Sequence, residues 1–148
     1  MGASKRKGTK NKSTTTDQPA KEAERSTPRH YVTWFEIPAL DIDRATGFYN
    51  DIYGITMEVA HASEFVMALF PASEGIGGAV VVGPGCVPSS VGPLIYLNGG
   101  PDLDAVLSRV EGAGGRVVMP KTLISEETGF FALFIDTEGN RLALHSTS

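Results

Sequence analysis

The sequence predicts an α+β domain of two βαβββ modules that curl into an open barrel, and three observations lead there. First, a short pattern occurs twice, sixty-one residues apart. Asp41-Ile42-Asp43 opens an amphipathic stretch that ends at Gly54, and Asp102-Leu103-Asp104 opens another that ends at Gly115. Second, each copy follows an apolar run (Val32 to Leu40, Leu94 to Leu97) and precedes further strand-like segments. Third, 148 residues at 41% hydrophobic are enough for one core but not two. Two copies at so long a period do not make a stacked array. They make two equal units that bury a shared core.

The elements follow in order. Tyr31 to Ile37 is rich in aromatic and β-branched residues and reads as a strand closed by Pro38. Asp41 or Asp43 then caps a helix, because an Asp side chain accepts from the free amides of the first turn. Ile42, Ala45, Tyr49 and Ile52 recur at helical spacing, widened by Phe48 and Tyr53, and Gly54 stops the helix. Ile55 to Val59, Phe65 to Phe70 and Gly77 to Val82 read as strands, with a bulge expected at Gly75-Ile76-Gly77-Gly78. The stretch from Gly83 to Ser90 reads as a linker.

The second unit repeats the order. Leu94 to Asn98 is a strand, and Asp102 or Asp104 caps a helix with the stripe Leu103, Val106, Leu107, Val110 and Ala113. Gly114-Gly115 stops it, and a strand from Val117 ends at Pro120. Phe130 to Ile135 and Arg141 to His145 are strands joined by a tight hairpin, Asp136 to Asn140. Ser125 to Gly129 reads equally as a mobile loop or a plain hairpin. Module one spans about 31–83 and module two about 93–147, within a domain of residues 30–148.

Charge divides the chain unevenly. Residues 1–30 hold eight Lys and Arg against three Asp and Glu, while the remainder holds five against fourteen. Residues 1–29 contain no aromatic, Leu, Ile or Val, so they bury too little apolar surface to offset their ordering entropy and are expected to be a disordered basic tail. Lys5-Arg6-Lys7 gives little affinity for a polyanion at physiological salt, so nucleic acid is not an expected partner. No apolar run approaches the ~18 residues of a membrane span, and no secretory core is present. The single Cys86 rules out an internal disulfide and a Cys-based zinc cluster, and fits a reducing cytoplasm.

Several local runs carry more than fold. These are Trp34-Phe35-Glu36-Ile37-Pro38, Asp41-Ile42-Asp43-Arg44-Ala45 with Phe48-Tyr49, Gly77-Gly78, and Asp136 through Leu142 with His145. Over residues 30–147 the chain resembles the vicinal-oxygen-chelate superfamily, which groups glyoxalase I, bleomycin- and fosfomycin-resistance proteins and extradiol dioxygenases. It looks most like a bacterial branch described as related to lactoylglutathione lyase. The resemblance implies a homodimer and a small-molecule ligand in the barrel cavity. It also implies a divalent metal held by His, Gln or Glu at set offsets. Those offsets fall on Trp34, on Pro93 or its neighbours, and on Ala143, and these residues do not ligate metals. The usual site therefore reads as lost, and no cofactor is expected.

Strand parity points to other candidates. Side chains alternate faces along a strand, so Glu36 shares a face with Trp34 and His145 shares one with Ala143. In the family's register all four face the cavity: Trp34 and Ala143 as pocket walls, Glu36 and His145 as a carboxylate and an imidazole for acid–base work. Equally plain alternatives are a Glu36 facing solvent or paired with Arg141, and a His145 that only finishes the sheet. A relocated metal at Glu36 and His145 ranks third, behind ligand binding and acid–base chemistry, since a catalytic zinc normally takes three protein ligands.

Three functions follow. The first is a metal-independent small-molecule-binding protein. The second is a lyase or isomerase acting on a small carbonyl compound, with Glu36 and His145 in proton transfer. The third is an interaction module recruited by its basic tail.

Overall fold

The computed structural model describes Gly2 and residues 27–148, so the expectation for the 1–29 tail lies almost wholly outside the described residues. From Trp34 onward the chain runs β1 (Trp34–Pro38), α1 (Ile42–Tyr53), β2 (Glu58–Ala62), β3 (Phe65–Leu69) and β4 (Gly77–Val82). The same order then returns as β5 (Tyr96–Asn98), α2 (Asp104–Val110), β6 (Arg116–Ser125), β7 (Gly129–Ile135) and β8 (Arg141–Ser146). Each half makes one four-stranded mixed sheet, β1-β4-β3-β2 and β5-β8-β7-β6. The sheets do not close on each other. This is the open, curved α+β arrangement of two βαβββ modules that the repeat predicts.

Helix α1 forms where its cap and stripe require. Asp41 accepts from the Arg44 amide at 3.0 Å, and Gly54 takes the left-handed conformation (φ 64°) that ends the helix. Ala45, Phe48, Tyr49 and Ile52 are all buried. Phe48 stacks edge-on with Tyr49 and reaches Phe134 of β7, while Tyr49 packs edge-on against Phe70. One core therefore joins the two modules. Each large side chain placed there contributes about 1.5–3 kcal/mol of burial.

Several expectations need correction. Helix α2 starts at Asp104 with Leu103 at its cap position and no side-chain cap bond; Asp102 instead accepts from the Asp104 amide and from Lys121 Nζ. It also ends at Val110, short of Gly114-Gly115. Strand β6 does not stop at Pro120 but runs on to Ser125, with register shifts flanking the proline. An edge strand tolerates a residue that lacks an N–H, and a bulge absorbs it.

The other two corrections lie in module one. Strand β2 begins three residues later than expected, because buried Met57 docks on the core with its amide held by Asn50 Oδ1. The pairing of β1 with β4 is continuous from Trp34↔Gly77 to Pro38↔Val81, with no bulge. Gly77 and Gly78 serve another purpose: a side chain on Gly77 would meet the Trp34 ring, and one on Gly78 the Phe35 ring.

Candidate functional site

Each sheet has one face in the shared core and one turned away from it. Cross-strand partners share a face, so the open face of the first sheet carries Trp34 and Glu36 with Ala79, Val81, Met67 and Leu69. The open face of the second carries Tyr96, Asn98, Ala143, His145, Phe131 and Leu133. The parity expected for Glu36 with Trp34 and for His145 with Ala143 is therefore present in the registers.

A cavity of about 680 Å³ lies at the end of the second sheet, with Tyr96, Asn98, Ile124, Thr128, His145 and Thr147 on its walls. His145 is its main titratable group. Its Nε2 lies 2.7 Å from the Thr128 carbonyl oxygen. A carbonyl only accepts, so Nε2 carries the proton and donates, which leaves Nδ1 of the neutral ring as an acceptor or base. Asn98, the cross-strand neighbour of His145, accepts from the Gly100 amide through Oδ1, leaving its NH2 group for a ligand. Tyr96 packs its ring 6.4 Å from Phe131. The wall thus offers an acceptor, an amide donor and a phenol, with no carboxylate.

The hairpin between β6 and β7 sets the Thr128 carbonyl. It is a plain turn: the Thr128 amide donates to Ser125 Oγ, and Ser125 pairs with Gly129. Gly129 has φ 92°, and a side chain there would strike the backbone of Ser146 and Thr147. Only glycine lets the hairpin lie that close to the end of β8.

Glu36 and Trp34 do not line this cavity. Glu36 is exposed and accepts from the Trp34 indole N–H at 3.3 Å, and it does not pair with Arg141, whose guanidinium points to the Gly92 carbonyl. Ala143 is fully buried beneath its neighbours rather than on the cavity wall. Neither Trp34 nor Ala143 offers a metal donor. Among the described residues no three His, Cys, Asp or Glu side chains are grouped to hold a metal ion. The described residues at those offsets do not fit the divalent metal that the resemblance implies.

Sequence reasoning missed a polar network of buried side chains in the β7–β8 turn. Glu138 is buried and accepts from the Leu40 and Asp41 amides at 2.9 Å each, and it pairs with Arg44 through Nε at 2.7 Å. Burial alone would raise its pKa; the Arg44 guanidinium and the two amides outweigh that and hold it at about 2. Asp136, also buried, accepts from the Tyr49 hydroxyl at 2.8 Å and from the Glu138 and Asn140 amides. Burial, reinforced by Asp136, pushes the Tyr49 phenol well above its ordinary range. Asn140 bonds across to the Pro38 carbonyl. The partners in module one lie about ninety to a hundred residues away in sequence, so no local pattern announces them.

Comparison with known proteins follows this geometry. No protein-family model matches the chain. A protein of Didymella fabae, described as glyoxylase-like domain-containing, is 30% identical over 123 residues, spanning 76% of this chain and 91% of the relative. The chain belongs to the glyoxalase-like family. Solved structures of the vicinal-oxygen-chelate superfamily share its fold. One is a glyoxalase/bleomycin resistance protein/dioxygenase family enzyme from Burkholderia phytofirmans (TM-score 0.58, 12% identity, 78% of this chain and 98% of that one). Glyoxalase I from Zea mays matches over 77% of this chain and 44% of its own length (TM-score 0.57, 14% identity, in a variant structure). The antibiotic-binding protein TnmS3 of a Streptomyces species matches over 83% and 100% (TM-score 0.53, 23% identity). At such identities these neighbours establish the glyoxalase-like fold and nothing finer.

Proposed function

We propose that this glyoxalase-like protein binds a small molecule without a metal, in the cavity beside His145. The observation that carries the reading is the fixed imidazole: Thr128 holds Nε2, so Nδ1 meets a ligand as an oriented acceptor. With Asn98 and Tyr96 beside it, the wall suits a neutral, oxygen-bearing molecule with a flat apolar part. TnmS3, a structural neighbour, is an antibiotic-binding protein, which accords with a ligand-holding role for the same fold. The test is a titration of small aromatic alcohols and amides followed at the His145 and Asn98 side-chain resonances. Saturable shifts of both are expected, and the Asn98 shift should vanish in His145→Leu. Ligands that bind elsewhere and leave both resonances unmoved would reject the cavity.

The second reading is a lyase or isomerase acting on a small carbonyl compound, and the free Nδ1 favours it. An oriented base can remove a proton next to a carbonyl. In that case α-hydroxy carbonyl compounds incubated in D2O gain deuterium, and His145→Gln stops it. Glu36, held at Trp34 on the other sheet, belongs to the same chemistry only if Glu36→Gln stops it too. Self-association fits either reading. The edge strand β6 exposes Val118, Leu123 and Ile124, a surface suited to a second copy. A concentration-dependent dimer that Leu123→Lys dissociates is the expected sedimentation result, and a monomer at every concentration rejects it.

A further inference from the structure

We propose that the open face of the first sheet is a separate binding site, where Trp34 and Glu36 receive a planar organic cation. Trp34 is 45% exposed, unusual for a large aromatic on a strand of a packed sheet. The way it is held accounts for that. A Cβ added to Gly77 would sit 2.9 Å from Trp34 Cζ3, so the missing side chain is what lets one ring face settle on β4. The other ring face is left outward. Its indole N–H donates to Glu36 at 3.3 Å, which fixes the ring and keeps the carboxylate beside it.

The electrostatics of the face select the sign of the ligand. The cross-strand row Glu36, Ala79, Leu69, Glu58 has a carboxylate at each end and no base between. Among the described residues no Lys or Arg pairs with Glu36. An aromatic face is electron-rich and attracts cations, most strongly for tryptophan, and a neighbouring carboxylate adds to that attraction. Ala79 and Val81 of β4 are buried beneath this face, so a flat group meets the exposed Trp34 ring and the Glu36 carboxylate. A guanidinium or an N-alkylated heteroaromatic ring has both the charge and the shape. This site does not depend on the His145 cavity, which lies on the other sheet.

The chain holds a single tryptophan, so its one indole ¹⁵N–¹H resonance reports Trp34 alone. The full-length protein is titrated with 1-methylquinolinium and, separately, with naphthalene-2-sulfonate, an anion of similar size and flatness. The cation should shift the resonance saturably, more weakly as salt rises, and the anion should not. Glu36→Gln should weaken the cation by about fivefold or more, since it removes the charge and keeps the shape. His145→Gln should leave the cation unaffected, whatever it does to the other cavity. Equal affinity for both ions, or a Glu36→Gln variant within about twofold of the parent, overturns the proposal. So does an indole resonance that moves with protein concentration but not with cation, which would mean that a second copy covers the ring.

Discussion

Replacing Glu138 by glutamine should cost stability mainly above its own titration range, and the structure sets the size of the effect. The carboxylate has an ordinary pKa of 4.5 and is held at about 2 in the fold. At about 1.4 kcal/mol per tenfold change, this shift is an upper bound of about 3 kcal/mol. The Glu138 side chain is 1% exposed but its Arg44 partner is 49% exposed, so solvent screens that half of the interaction. A net of about 1–2 kcal/mol is the better figure, or roughly 3–8 °C in melting temperature. A lowered carboxyl pKa stabilises the fold above the unfolded value. That stability disappears as pH falls from about 4.5 through about 2. Urea unfolding of the parent and of Glu138→Gln across that window is the assay. The two curves should differ most near neutrality and converge in acid. A gap that stays constant from neutrality to the acid limit would refute the assignment, because the loss would then not follow the proton on Glu138.

Other substitutions have outcomes as specific. Tyr49→Phe keeps the ring and removes one donor to buried Asp136, so thermal unfolding should register a loss of about 1–3 kcal/mol. Gly129→Ala places a side chain against Ser146 and Thr147 at a φ of 92°, which should cost about 2 kcal/mol or more and disturb the His145 ring resonances along with Thr128. Gly77→Ala should leave the melting temperature within a few degrees, by roughly 1 kcal/mol or less, yet move Trp34 emission as the exposed ring is lifted from β4.

Much of the fold was legible because its signals are local. The Asp41 cap, the α1 stripe and the Gly54 stop fall within thirteen residues, and β4 begins and ends where its apolar run does. Strands that lie at sheet edges were harder to read. All five residues of β2 are exposed, so it has no inward–outward alternation to place it, and β6 contains a proline that sequence logic treats as a stop. The candidate site divided the same way. Parity placed His145 on a face with Ala143, since parity depends only on position along one strand. The partner that orients it is the backbone carbonyl of Thr128, and a carbonyl is common to every residue type. The Glu138 network is silent for a different reason: Leu40, Asp41 and Arg44 belong to the other module, more than ninety residues away.

That turn also bears on how the two halves came to depend on each other. A duplicated unit begins as two equivalent pieces, each able in principle to pair with any copy of itself. Here the β7–β8 turn of the second half carries the acids, and the start of α1 in the first half carries the amides and the guanidinium that neutralise them. The corresponding turn of the first half, at Pro71 to Ile76, keeps Glu74 in the place of Glu138 but has Ala72 and Ile76 where the second half has Asp136 and Asn140, and Glu74 is exposed. The fit works in one direction only. The two modules repeat one element order, but this joint gives them different parts: the second supplies the carboxylate and the first the groups that hold it.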